Sequence, residues 1–79
     1  MERLENLLRF LARAIVDEPE SVEVTGTESD SRVDLTLRVA PNDMGRVIGR
    51  HGRTVKAIRA VVKAASVPLN KRVNVEVAD

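Results

Sequence analysis

Two glycines three positions apart, Gly49 and Gly52, sit between two apolar-patterned segments and constrain this chain more than any other feature. The run reads Val47-Ile48-Gly49-Arg50-His51-Gly52-Arg53-Thr54-Val55-Lys56-Ala57-Ile58. Glycine reaches backbone conformations closed to other residues and lets a second backbone come close. A helix that begins at Gly52 or Arg53 turns its unpaired N–H groups, and the positive end of its dipole, back on that turn. Phosphate suits such a place. The nearby side chains, Arg50, Arg53 and Lys56, are cationic.

The rest of the chain supplies the frame. Leu4, Leu7, Leu8, Leu11 and Ile15 recur at helical spacing and predict an N-terminal helix with one apolar stripe. Asp17-Glu18-Pro19 ends it, because proline disfavours helical geometry at the preceding residue. That stripe covers the chain's own core or forms a dimer seam. A strand is expected over 21–25, with Val22 and Val24 on one face. A cleaner one is expected over 32–39, with Val33, Leu35, Leu37 and Val39 opposite Asp34, Thr36 and Arg38. Strict alternation of this kind means one buried face and one wet face. The polar link over 26–31 reads as a hairpin.

Ala40-Pro41-Asn42-Asp43 opens a short helix, with Asn42 or Asp43 as the expected N-cap. Met44, Val47 and Ile48 give it an apolar side, and Gly49 is placed to end it. A second helix follows over 53–65, its core stripe formed by Val55, Ile58 and Val62 with help from Ala57, Val61 and Ala65. Residues 66–70 form a loop around Pro68, and 71–77 a last strand with Val73, Val75 and Val77 inward. The order α-β-β-α-α-β predicts an α+β fold: one three-stranded sheet with its helices packed on one face.

Length and composition bound the rest. Seventy-nine residues predict one domain, with a small core that a partner subunit would help to stabilise. Hydrophobic residues make up 43% of the chain, too many for a disordered protein. There is no cysteine, so no disulfide or thiolate metal site is available. No apolar run is long enough for a membrane span. Met-Glu-Arg-Leu-Glu does not resemble a signal peptide, and the expected location is cytoplasmic.

Charge is distributed unevenly. Residues 1–43 carry five arginines against ten carboxylates, a balance of −5. Residues 44–79 carry eight lysines and arginines against Glu76 and Asp79, a balance of +6. No acidic residue occurs between 45 and 67. A basic patch inside a near-neutral chain marks a localised anionic partner. The surface expected to meet it comprises Arg46, Val47, Ile48, Gly49, Arg50, His51, Gly52, Arg53, Lys56 and Arg59, continued by Lys63. Here the glycines admit a sugar–phosphate backbone and the cations face phosphates. Ile48, Val55 and part of the middle strand line an apolar groove for unpaired bases.

Competing patterns fit less well. Two glycines alone also suit a plain helix–helix turn. Neither the glycine spacing nor the lysine of a Walker loop is present. A helix-turn-helix reading on duplex DNA explains the two helices but not three alternating strands. The sole aromatic, Phe10, falls on a helix, so no stacking platform of the kind used by sheet-based RNA binders exists. One histidine and scattered carboxylates provide no catalytic set, metal site or cofactor motif. The residues point to a binding module, with a protein-interaction scaffold as the alternative from another class.

Ile48-Gly49-Arg50-His51-Gly52, followed by a helix carrying Val55 and Ile58, resembles the KH-domain signature, and the α-β-β-α-α-β order resembles its type II form over the whole chain. The run Val47-Ile48-Gly49-Arg50 through Ala57-Ile58-Arg59, with the helix-first order, is similar to the small stand-alone bacterial KhpA-like RNA-binding proteins. That resemblance implies single-stranded RNA held at the 49–52 loop, with about four nucleotides per domain. It also implies a role as an RNA chaperone or post-transcriptional regulator. It implies self-association, a larger KhpB-like (Jag/EloR) KH partner, and links to cell-wall biogenesis and cell shape.

Overall fold

The computed structural model describes residues 2–78. Helix α1 (Glu2–Ile15) is followed by strands β1 (Glu23–Glu28) and β2 (Arg32–Arg38), helices α2 (Met44–Ile48) and α3 (Arg53–Ala65), and strand β3 (Arg72–Ala78). Short 3-10 turns at Pro19–Ser21, Pro41–Asp43, Arg50–Gly52 and Val67–Leu69 join them. This is the predicted α-β-β-α-α-β order.

The sheet runs β1-β2-β3. β1 and β2 are antiparallel, from Glu23 opposite Arg38 to Glu28 opposite Val33. The turn at 29–31 is closed by the Ser29 N–H donating to the Arg32 carbonyl at 2.8 Å. Hence the hairpin is shorter than composition suggests: Gly26, Thr27 and Glu28 belong to the strand. Val22 is buried but leads into β1 from the Pro19 turn, which moves the strand start to Glu23. β2 and β3 are parallel, from Arg32 opposite Arg72 to Arg38 opposite Ala78. Parallel neighbours need a long crossover, and α2 with α3 provides it.

Alternation in β2 places Val33, Leu35 and Leu37 in the core, while Asp34 and Thr36 stay part-exposed on the other face. The helices cover the buried face. α1 contributes Leu4, Leu8 and Ala12; α2 contributes Val47; α3 contributes Val55, Ile58 and Val62. Val75 is the most buried residue of β3, with Val73 and Val77 half-buried beside it, as expected for an edge strand. Two expected core members are not there: Ala57 and Val61 are exposed, Val61 at 45%. Ile15 is also at the surface. Helical periodicity marks an apolar side but cannot say how far the neighbouring elements reach around it.

Asp43 holds the crossover to α1. It is 1% exposed, and its two carboxylate oxygens accept the backbone N–H groups of Asp17 and Glu18 at 3.0 and 3.1 Å. Neither Asn42 nor Asp43 makes the expected side-chain N-cap bond. The carboxylate instead serves the chain leaving α1, where two otherwise unpaired donors need an acceptor.

Candidate nucleic-acid interface

The 49–52 loop is built by backbone geometry that few residue types tolerate. At the end of α2 the Gly49 N–H donates to the Gly45 carbonyl at 2.9 Å, and Gly49 then takes φ 75° and ψ 170°. That region is essentially glycine's own. A side chain there would also collide with the Thr54 side chain, and its Cβ would lie 2.9 Å from the Thr54 backbone nitrogen. Gly49 is thus required by the fold itself.

His51 and Gly52 both adopt left-handed conformations, with φ 58° and 73°. Histidine is among the few non-glycine residues enriched there. The turn is closed by the Gly52 N–H donating to the Gly49 carbonyl at 3.1 Å. Nothing lies within 4 Å of the position a Cβ on Gly52 would take. So the loop has one glycine locked against the protein and one facing open space. No side chain caps the start of α3, so its positive end is left to face that space.

Arg50, His51, Arg53 and Lys56 are exposed around this loop. Among the described residues none of Arg50, Arg53, Lys56 or Lys63 is paired with a carboxylate. Ile48 is half-buried at the loop's base. Three candidates stand differently from expectation. Val47 is fully buried, so it packs beneath the loop and has no surface to offer a ligand. Arg46 is engaged with Asp17 at 2.9 Å and with Asp43 at 3.6 Å. Arg59 donates from Nε to the Val75 carbonyl at 3.0 Å. The middle strand does not line a groove either. The inward side chains of β2 are sealed in the core, and Val55 is 6% exposed.

Two residues that matter here escape sequence reasoning. Thr54 fills the space beneath Gly49, and Asp43 ties the crossover to α1. Only the spatial neighbourhood reveals either role.

The two flanks of α3 differ. Successive residues turn by about 100° in an α-helix. Lys56, Arg59 and Lys63 therefore share one flank, and the Arg59–Val75 bond shows that it borders β3. Thr54, Ala57 and Val61 share the other, where they meet Leu11 and Ile15 of α1 in a shallow apolar furrow. Among the described residues no group of three or more histidines and carboxylates could hold a metal ion. No helix of the described residues is long and apolar enough to cross a membrane.

Comparison with known proteins agrees with this architecture. Residues 5–77 match the family model described as KhpA/KhpB, KH domain. The protein named RNA-binding protein KhpA from Clostridium acetobutylicum is 49% identical over 74 residues, which cover 94% of this chain and 99% of that one. Its namesake from Bacillus subtilis is 41% identical over 78 residues, covering 99% and 96%. Among solved structures, Era in complex with MgGDPNP and nucleotides 1506–1542 of 16S ribosomal RNA aligns with a TM-score of 0.69 at 20% identity. The aligned part covers 94% of this chain and 28% of Era, a likeness of fold alone. The three-stranded mixed sheet, the helix–loop–helix crossover and these matches together establish a type II KH fold, and the chain belongs to the KhpA/KhpB KH-domain family.

Proposed function

We propose that this chain binds single-stranded RNA by laying a sugar–phosphate backbone across the 49–52 loop. The observation that carries this reading is the open space over Gly52 at the uncapped start of α3, with exposed Arg50, Arg53 and Lys56 nearby in the chain and without a carboxylate partner among the described residues. His51 stands beside them as a further polar contact. Bases then fall toward the cationic flank of α3. Without aromatic side chains at the loop, charge dominates, and binding is modest and salt-dependent. The relatives named as RNA-binding proteins support the same ligand class.

A module of this kind acts in the cytoplasm as an RNA chaperone or post-transcriptional regulator. It works with another KH chain, a second copy or a KhpB-like protein. Exposed Phe10 and Val61 leave apolar surface for such an association.

The test is the double variant Arg50→Asp, His51→Asp. Both side chains are exposed, and aspartate tolerates the left-handed backbone at position 51. The variant keeps its melting temperature and loses at least about tenfold in affinity for short oligoribonucleotides, as expected when two phosphate contacts become repulsive. Unchanged affinity ends the clamp model.

A further inference from the structure

We infer that Arg59 is a base-reading residue, which selects guanine and cytosine over adenine and uracil at one position of the bound strand. This rests on the reading of the 49–52 loop as an RNA clamp and adds a specificity to it. Arg59 bridges the seam between α3 and the outer edge of β3: its Nε donates to the Val75 carbonyl at 3.0 Å. No other strand covers that edge among the described residues. The bond fixes the plane of the guanidinium. The two terminal Nη groups have no partner among the described residues, and the side chain is exposed. Lys56 and Lys63 lie three residues before and four residues after it on the same flank, placed to neutralise phosphates on either side.

An arginine held by Nε presents its remaining N–H groups as an end-on fork that only donates. It therefore pairs with a base that offers two neighbouring acceptors. Guanine offers O6 and N7, and cytosine offers O2 and N3. Adenine sets its N6 donor beside N7, and uracil sets the N3 donor between its two carbonyls. Either leaves one arm of the fork facing a donor. In an unpaired strand these edges are accessible. The Val75 bond holds the fork in one orientation, so less conformational freedom is lost when it pairs with a base than for an unrestrained side chain.

The experiment measures affinity of the full chain for oligouridine pentamers in which each position in turn is replaced by guanosine, cytidine or adenosine. At one position guanosine and cytidine bind about 5- to 100-fold tighter than adenosine and uridine, the range a bidentate arginine contact supplies. Arg59→Lys keeps the charge and the salt dependence but loses that preference. Arg59→Gln, which also presents an acceptor, moves the preference toward adenosine. Circular dichroism confirms that both variants fold; should Arg59→Gln fail to, the lysine variant decides. Binding with equal affinity for all four bases overturns the inference and leaves the clamp standing. So does a preference for guanosine and cytidine that survives Arg59→Lys undiminished. Failure to bind any pentamer overturns both.

Discussion

The side chain of Thr54 occupies the space that any side chain on Gly49 would need. The first turn of α3 is thereby packed against the first residue of the loop, and the two glycines of the loop have different jobs. Gly49→Ala meets both a collision and a forbidden backbone region, and is expected to cost about 2–4 kcal/mol. Gly52→Ala meets open space and only the left-handed penalty, about 1–2 kcal/mol. Urea denaturation of the two variants checks the order. Gly52→Ala should still fold and bind RNA more weakly, because its new methyl group stands where the backbone of a ligand would lie.

Asp43 ties the crossover to the chain that leaves α1. Its buried carboxylate accepts two backbone N–H groups and lies 3.6 Å from Arg46. Asp43→Ala leaves both donors without an acceptor and is expected to lower stability by about 3 kcal/mol. Asp43→Asn retains one acceptor oxygen and should cost less. Amide hydrogen exchange at Asp17 and Glu18 accelerates in both variants relative to the core strand β2. Protection unchanged at those two amides contradicts the assignment.

The cations of the patch are not equivalent. Arg46 is held by Asp17 and Asp43, whereas Arg53 and Lys56 have no carboxylate partner among the described residues. Arg53→Ala or Lys56→Ala should therefore weaken RNA binding and flatten its dependence on salt by about 0.7 in log–log slope for each phosphate no longer neutralised. Arg46→Ala should change that slope less and affect stability more. Affinity measured across a salt series separates the two outcomes.

Composition and periodicity revealed much of this architecture, and the exceptions have a common cause. The strands β2 and β3 and the helices α1 and α3 were readable because Val33, Leu35 and Leu37 alternate and because Leu4, Leu8, Val55, Ile58 and Val62 recur at helical spacing. The glycine loop was readable because Gly49 and Gly52 interrupt two such patterns. What stayed hidden depends on distant partners. Asp43 looks like a helix cap until Asp17 and Glu18, some 25 residues away, are seen to use its carboxylate. Arg59 looks like a solvated cation until β3 brings Val75 beside it. Val61 looks like core until it is seen to line an open furrow with Leu11 and Ile15 of α1. Gly26-Thr27-Glu28 looks like a loop by composition, and pairing with β2 overrides that tendency.

A pH effect follows from the far end of the sheet. Lys71, just before β3, reaches across the start of β2 to bond Glu28 at the end of β1, and this hydrogen bond and charge hold the Glu28 carboxyl below the ordinary glutamate range. The folded value is the lower one. The stabilisation is therefore present above the unfolded carboxyl's titration range and is lost as pH falls through the folded one. NMR titration should find Glu28 ionising below the ordinary glutamate range, and Lys71→Met should raise its midpoint. Equal midpoints in the parent and the variant would refute the pairing.

The central claim is that a polyanionic strand seats over Gly52 at the start of α3. Titrating a short unpaired oligoribonucleotide into labelled protein while following backbone amide NMR signals tests it most directly. The largest shifts are expected at residues 49–53 and along the Lys56–Arg59–Lys63 flank, with the furrow between α1 and α3 unmoved. Shifts confined to that furrow, or no movement at residues 49–53 with RNA in excess, would contradict it.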